Sequence, residues 1–123
     1  MCKILLSINP EHVENIFNGN KKYEYRKIKC KEKVDKIIIY STAPIMQVVG
    51  EAEVKKILED TPEEIWKITQ NESGINLEFF KKYYKGRKKA IAYQLTSIIK
   101  YEHPKTLKDY GLKMAPQSFI YVK

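Results

Sequence analysis

Six strand-like segments separated by short helical segments constrain the fold of this chain more than any other feature. The strand-like segments are rich in isoleucine, valine and tyrosine, which favour strands, and they span residues 3–8, 21–28, 34–44, 46–58, 88–102 and 117–123. The order β-α-β-β-β-α-α-β-α-β contains more strands than a sheet built from βαβ units requires. We therefore predict an α+β fold, in which a small mixed β-barrel has helices packed outside it and at its openings.

Proline, glycine and polar caps mark where the helical segments begin and end. Pro10 suits the first turn of a helix, and the spacing of apolar residues predicts a helix from about Pro10 to Asn18 that ends at Gly19. Thr61 and Asn76 each have the side chain of an N-cap, so one helix is predicted after each of them. The first helix therefore delivers the chain directly to the segment that begins at Lys21.

Two residues predict irregularities in the long strand-like segments. Gly50 interrupts the segment 46–58 and predicts a bulge or a bend, as at a barrel corner. Pro104 predicts the end of the strand that includes residues 88–102, because proline has no amide hydrogen for strand pairing. A helical turn is predicted directly afterwards, in residues 105–111.

Length and composition favour one domain. The chain has 123 residues, of which 43% are hydrophobic, and one domain typically has about 100–200 residues. Cys2 and Cys30 are the only cysteines, which argues against a zinc site and a disulfide scaffold. We find no motif for a cofactor and no metal-ligand set.

The apolar run at the N-terminus is too short for a signal peptide or a membrane span, so we expect a cytoplasmic protein without a membrane segment.

Basic residues are concentrated in two places. Residues 20–36 contain eight lysines and arginines against three acids, and residues 81–89 contain six and no acid, in a chain with a formal net charge of +8. Such clusters suit a polyanion, and the tyrosines among them are candidates for stacking on bases. The alternative is a solvated lysine-rich face, with Tyr83 and Tyr84 packed in the core.

The strand-like segment after Gly19 contains an unusual set of charges. In a regular strand Lys22, Glu24 and Arg26 share one face, and Lys21 lies on the other. A turn before the strand would allow Lys21 to reach the same place. Lysine and arginine beside a glutamate suit an anion such as phosphate. The alternative is an exposed, ion-paired strand.

This segment resembles a known family motif. Gly19-x-Lys21-x-x-Glu24-x-Arg26 matches the G-x-K-x-x-E-x-R motif of the ASCH domain, a member of the PUA-like superfamily. The strand and helix before the motif, the pair of strand-like segments after it and the C-terminal segment are also similar to ASCH proteins. The resemblance covers essentially the whole chain, residues 1–123, as a small stand-alone bacterial or archaeal type.

The resemblance implies a PUA-like barrel with a cleft bordered by the motif, and an RNA or nucleotide ligand. Family members are proposed to act in translation or in transcription regulation. The motif positions transfer to Lys21, Glu24 and Arg26 as the ligand-binding residues. Three further pairs are candidates: Lys22 and Tyr25 within the motif segment, Ser41 and Thr42 at a strand end whose following turn can face the cleft, and Gln117 and Ser118, which the resemblance places near the barrel mouth. For the last four, a structural role in turns or strand entry is an equal alternative.

The resemblance also leaves an enzyme as the alternative to a binding module. Some ASCH proteins cleave RNA, and others remove the acetyl group from acetylated cytidine. Glu24 occupies the position of the proposed threonine nucleophile of the second group, and a carboxylate does not form the corresponding ester. In an enzyme, Glu24 would act as a general base and Lys21 would stabilise an oxyanion. The two histidines, His12 and His103, are interpreted as surface or turn residues. An interaction-only protein is the third class.

Overall fold

The computed structural model describes residues 1–123, and its elements follow the predicted order. The strands are β1 (Lys3–Ile8), β2 (Tyr23–Arg26), β3 (Lys36–Ser41), β4 (Gln47–Asp60), β5 (Ala90–Lys105) and β6 (Phe119–Val122). The helices are α1 (Pro10–Phe17), α2 (Pro62–Thr69) and α3 (Leu77–Tyr83), with short 3-10 turns at Gln70–Glu72 and Leu107–Tyr110. None of the three helices has the length and apolar character of a membrane-spanning segment.

The six strands form one sheet with the order β2-β5-β4-β3-β1-β6. β1 and β3 are parallel, and all other neighbours are antiparallel. The long strands β4 and β5 have three register shifts between them, and such bulges increase the bend and twist of a sheet. The sheet therefore curls into a half-barrel with helices outside it and across its opening, which confirms the predicted α+β architecture of a curved mixed sheet with helices packed on it.

The two predicted irregularities have different outcomes. Gly50 lies at a bulge, because the register between β3 and β4 shifts after Ile39, which pairs with Gly50. Pro104 does not end β5, which continues to Lys105 and pairs there with Val48. The prediction for Pro104 was wrong because β2 pairs with β5 only as far as Gln94. Beyond that point one edge of β5 has no strand beside it, and a free edge tolerates a missing amide hydrogen.

The concave side of the sheet contains the largest apolar cluster. Alternate residues of β1 and β5, such as Ile4, Leu6, Ile91 and Tyr93, point into it, and α1 closes it. The other face is covered at both ends of the sheet. Helices α2 and α3 pack on Tyr23, Tyr25, Ala90 and Ala92, and the C-terminal segment packs on Leu5, Ile38, Tyr40 and Val48. Burial on both faces explains why these strands are nearly continuous apolar runs.

Candidate functional site

The segment between α1 and β2 positions the motif lysine. Gly19 adopts a left-handed backbone with φ of +88°, a conformation that glycine adopts without steric cost. Lys21 then forms an isolated bridge with Ser73 before the regular strand starts at Tyr23. The alternation of faces in β2 therefore does not apply to Lys21. Its side chain reaches Glu24, as the predicted turn allows.

Lys21 is almost fully buried, with 2% of its surface exposed, and three groups contact its amino group. Its Nζ donates a hydrogen bond to the carbonyl oxygen of Ser73 at 3.1 Å and lies 3.9 Å from Oε1 of Glu24. It also lies 4.7 Å from the centroid of the Tyr25 ring, a cation–π distance. Burial lowers the pKa of Lys21, Glu24 opposes that shift, and Arg26 adds to it. An anion in contact with Nζ would favour the charged lysine.

Gly74 makes the close approach around Lys21 possible. A β-carbon at Gly74 would contact the β-carbon of Lys21 and would lie 2.8 Å from its γ-carbon. Gly74 also has a left-handed φ of +68°. Both observations show that only glycine fits beside the lysine stem.

Glu24 and Arg26 form a charge-assisted pair. Nε and Nη2 of Arg26 donate to Oε2 of Glu24 at 3.2 and 2.7 Å, and the glutamate is 6% exposed. Nη2 also donates to the carbonyl oxygen of Ser7 at 3.0 Å. Ser7 belongs to β1, which is four positions from β2 in the sheet order. Arg26 therefore connects the two sides of the half-barrel at the place where the sheet does not close.

A cleft of about 250 Å³ lies at this opening. One wall consists of the three motif side chains, and the other is largely aromatic and apolar. The lining residues are Ser7, Ile8, Asn9, His12, Lys21, Glu24, Tyr25, Arg26, Ile75, Phe79 and Tyr83. Such a cleft can hold an anionic group against the cations and a planar ring against the aromatic side chains.

The aromatic wall is fixed by hydrogen bonds to buried partners. The hydroxyl of Tyr25 donates to Oγ1 of Thr69 at 2.7 Å, and burial raises the pKa of Tyr25 to about 12. The hydroxyl of Tyr83 donates to the carbonyl oxygen of Tyr25 at 3.3 Å. Tyr84 is buried, and its hydroxyl shares its one hydrogen between the carbonyl oxygens of Arg26 at 2.9 Å and Ile91 at 3.1 Å, which anchors α3 against β2 and β5.

His12 was interpreted as a surface or turn residue without a role in the site, whereas the structure places it in the cleft. It lines the cleft and is half-buried, because α1 places it on the same side as Val13 and Ile16 rather than facing the solvent. Its Nδ1 is buried without a hydrogen-bond partner, and its ring packs edge-to-face on Phe79 with centroids 5.5 Å apart. Burial and then the charge of Lys21 lower the pKa of His12. The neutral form is therefore favoured, and it can accept a proton.

We expect His12 to reduce the stability of the fold in mild acid. Its folded-state pKa lies below the ordinary value of 6.5, so between these two values the unfolded chain binds a proton that the folded chain does not. Stability contributed by neutral His12 is therefore lost as the pH falls from about 6.5 through the lowered pKa. Denaturation at about pH 7 and about pH 5 should show that the free energy of unfolding falls more for wild type than for His12→Gln. His103→Gln, at the exposed histidine of β5, should behave like wild type, and equal losses in all three proteins would contradict the prediction.

The other predicted site residues lie outside the cleft. Lys22 is exposed and forms an ion pair with Glu72 at 2.9 Å on a different surface. Alternation along a regular strand would place it beside Glu24 and Arg26, but Lys22 lies before β2, which starts at Tyr23, and its backbone and side chain both bond to Glu72. Ser41 is buried, and Thr42 reaches the cleft only through Asn9, whose Oδ1 accepts from Oγ1 of Thr42 at 3.3 Å.

The C-terminal candidates lie next to the cleft without lining it. Oγ of Ser7 donates to the carbonyl oxygen of Pro116 at 2.7 Å, which holds the segment containing Gln117 and Ser118 against the end of β1. Neither of these two residues lines the cleft, because β6 begins at Phe119 and carries the chain along β1. A role of these residues in ligand binding stays a prediction.

Several lining residues were not predicted from the sequence. Ser7 and Asn9 are at the end of β1, and Ile75 and Phe79 come from the segment around α3. The sequence contains one signal for Phe79, since two adjacent aromatic residues in a helix cannot both face the core; in the structure Phe80 is buried and Phe79 is 46% exposed. No local pattern marks the others, because the curl of the sheet brings Ser7 and Asn9 to the motif and the segment before α3 brings Ile75 there.

Comparison with known proteins places the chain in a family. The family model described as "Domain of unknown function (DUF365)" matches residues 2–118. Over 121 residues the chain is 29% identical to ATP synthase subunit alpha of Ureaplasma parvum, covering 98% of this chain but 15% of that protein. Over 92 residues it is 28% identical to the ASCH domain-containing ribonuclease of Zymomonas mobilis, covering 74% of this chain and 62% of that protein. The chain therefore spans less than two thirds of the length of these relatives.

A solved structure shows the same fold. The crystal structure of ASCH from Zymomonas mobilis matches with a TM-score of 0.89 at 24% sequence identity, covering 98% of this chain and 87% of that one. At this identity the likeness shows the fold, including the curled sheet and its helices. With the family model matching nearly all of its residues, the chain belongs to the DUF365 family and is an ASCH-domain protein with the PUA-like fold.

Proposed function

We propose that the cleft binds a nucleotide unit of RNA, with its phosphate at Lys21 and Arg26 and its base against the aromatic wall. The observation that carries this proposal is the meeting of two cations and three aromatic side chains in one cleft of about 250 Å³. The name of the Zymomonas mobilis relative, an ASCH domain-containing ribonuclease, supports RNA as the ligand class. We further propose a cytoplasmic role in regulating translation or transcription.

The charged wall has binding capacity left for an anion. Of the three hydrogens on Nζ of Lys21, one is used in the hydrogen bond to Ser73. Arg26 uses Nε and Nη2 for Glu24 and Ser7, whereas its Nη1 makes no hydrogen bond within the protein. Glu24 neutralises one of the two cations and orients both. A phosphate would meet preorganised donors that need little rearrangement.

The opposite wall suits a base. Phe79 is exposed although it is a large apolar side chain, and it faces the cleft beside Tyr83 and Ile75. Stacking of one base on such a side chain typically contributes about 1–3 kcal/mol and tolerates different bases. The cleft alone therefore favours a nucleotide without fixing which base it holds.

Lys21→Met is expected to weaken nucleotide and RNA binding by about tenfold or more, because a hydrogen bond to a charged group contributes about 1.5–3 kcal/mol. The substitution keeps the length of the buried stem. Lys22→Met is the matched control, since it removes one exposed lysine next in the chain and outside the cleft. Titration of short single-stranded RNA, nucleotides and acetylated cytidine, with unfolding measured on each variant, tests the proposal. Equal affinities for the two variants would contradict it.

RNA cleavage is a second candidate function, and His12 favours it. A neutral histidine in a cleft with two cations can take the proton of a 2′-hydroxyl, while Lys21 and Arg26 stabilise the charge on phosphorus. The 2′ oxygen would then bond to phosphorus, the bond to the 5′ oxygen would break, and that oxygen would take a proton from water. Glu24 is less suited to be the base because Arg26 and Lys21 already engage its carboxylate.

Product analysis of the same titration samples separates the two functions. Intact RNA with affinity lost in Lys21→Met indicates a binding module. A 2′,3′-cyclic phosphate product formed by wild type and not by His12→Gln indicates a ribonuclease. Loss of acetate from acetylated cytidine, and no change in RNA, indicates instead an amide hydrolase acting on a modified nucleoside.

A further inference from the structure

We propose that a second surface of this protein binds a single-stranded segment of nucleic acid. This surface, which we call the α2–α3 groove, lies between helices α2 and α3 and has a volume of about 480 Å³. It shares no lining residue with the cleft. The proposal therefore goes beyond the function proposed for the cleft and does not depend on what the cleft binds.

The α2–α3 groove carries an excess of positive charge. Four basic side chains line it, against the single carboxylate of Glu63: Lys67, Lys81, Lys85 and Arg87. Lys67 pairs with Glu64 at 3.4 Å, but the other three form no salt bridge within the protein. Three exposed and unpaired cations around one concave surface attract a polyanion.

Trp66 adds an aromatic surface to these charges. It lines the groove and is half-buried, and its ring packs on that of Phe80 with centroids 4.8 Å apart. A tryptophan supported from below and surrounded by cations is the arrangement on which bases of single strands stack. A flexible acidic peptide would meet the same cations but would give the indole no planar partner. The combination therefore favours single-stranded nucleic acid.

Helix α3 separates the groove from the cleft. Phe79 and Tyr83, four residues apart, line the cleft, whereas Phe80 and Tyr84 line the groove. An α-helix with its side chains is about 10–12 Å in diameter, so a strand of a few nucleotides is long enough to contact both sites. The basic segment 81–89 thus contributes three of its cations to the groove, while Tyr84 is buried and Tyr83 belongs to the aromatic wall of the cleft.

Trp66 makes the groove directly observable, because it is the only tryptophan in the chain. We expect a single-stranded oligonucleotide of eight uridines to change the fluorescence of Trp66 on binding, and a mononucleotide to leave it unchanged. The same titration with the corresponding DNA strand distinguishes RNA from DNA. Poly-glutamate of similar charge tests for an acidic partner.

The variant Lys81→Gln/Lys85→Gln/Arg87→Gln should weaken oligonucleotide binding by tenfold or more. Its plot of log affinity against log salt should be shallower than that of wild type by about 2, since each phosphate contact contributes about 0.7 for a single strand. The matched control is Lys108→Gln/Lys113→Gln/Lys123→Gln, which removes three exposed, unpaired lysines from the C-terminal segment. The control should retain the affinity of wild type apart from a small general charge effect.

Three outcomes would overturn the proposal. They are an unchanged Trp66 signal with every oligonucleotide, equal affinities for the two triple variants, and an equal response to poly-glutamate. Lys21→Met separates this proposal from that for the cleft. If only the cleft proposal fails, oligonucleotides still change the Trp66 fluorescence, and no variant changes the affinity for mononucleotides. If only the groove proposal fails, Lys21→Met still weakens mononucleotide binding and the Trp66 signal is absent.

Discussion

Glu24→Ala is expected to lower the free energy of unfolding by about 3 kcal/mol, because it leaves two desolvated cations without their shared partner. Glu24 lies between Arg26, whose Nη2 is 2.7 Å from Oε2, and Lys21, whose Nζ is 3.9 Å from Oε1. Lys21 is almost fully buried, and the Arg26 side chain is 14% exposed, so neither cation regains full hydration in the variant. Denaturation in urea at neutral pH measures the loss.

Glu72→Ala is the matched control for this prediction. It also removes a glutamate paired with a motif-segment lysine, but the side chains of Glu72 and Lys22 are 46% and 52% exposed. An exposed pair contributes about 1 kcal/mol or less because both groups remain hydrated. A loss in Glu24→Ala no larger than that in Glu72→Ala would show that the buried charges are stabilised by other means. Glu24→Gln should give a smaller loss than Glu24→Ala, since an amide oxygen can still accept from Arg26.

Gly50→Ala is expected to cost about 3 kcal/mol by overpacking the bulge between β3 and β4. A β-carbon at this position would contact the carbonyl oxygen of Ile99 and would lie 2.7 Å from the ring of Phe17. The carbonyl belongs to β5, which pairs with β4 at Glu51 and Ile99, so it cannot move without disturbing that pairing. Phe17 at the end of α1 would also shift, and the helix that carries His12 would shift with it.

Gly111→Ala separates this contact from the general effect of adding a methyl group to glycine. Gly111 has a left-handed φ of +73° and no heavy atom within 4 Å of an added β-carbon. Its substitution should cost about 1–2 kcal/mol through the backbone conformation alone. Gly50 is not among the glycines with positive φ, so the stability lost in Gly50→Ala must come from the contacts of the added methyl group. Thermal or urea denaturation of both variants decides the matter, and a Gly50→Ala protein as stable as wild type would contradict the packing argument.

The order of the elements could be predicted because its signals are local. Asn76 and Thr61 accept hydrogen bonds from the backbone of the next turn, as N-caps do, and Gly50 lies at the expected bulge. Pro104 shows where local signals fail. A proline ends a strand where a neighbouring strand requires a hydrogen-bond donor at that position. Which positions require one depends on how the strands pair in the sheet.

The candidate site was predicted in part. The spacing of Lys21, Glu24 and Arg26 suggested one anion-binding place, and the three side chains do meet in one cleft. The same reasoning left His12 on the surface, because a single histidine in a short amphipathic helix has no signature of its own. Trp66 likewise becomes noticeable only when α3 brings Lys81 beside it.

The sequence by itself determined the elements, the motif and the family, since these depend on residues close together in the chain. Tertiary structure alone decided what faces the motif. The curl of the sheet brings the end of β1 to Arg26, and α1 and α3 add His12 and Phe79. These contacts join residues from distant parts of the chain, and their distances follow from how strands bend and helices pack. No local pattern of residues encodes such distances, so the charge and the aromatic surface of the cleft emerge only in the folded protein.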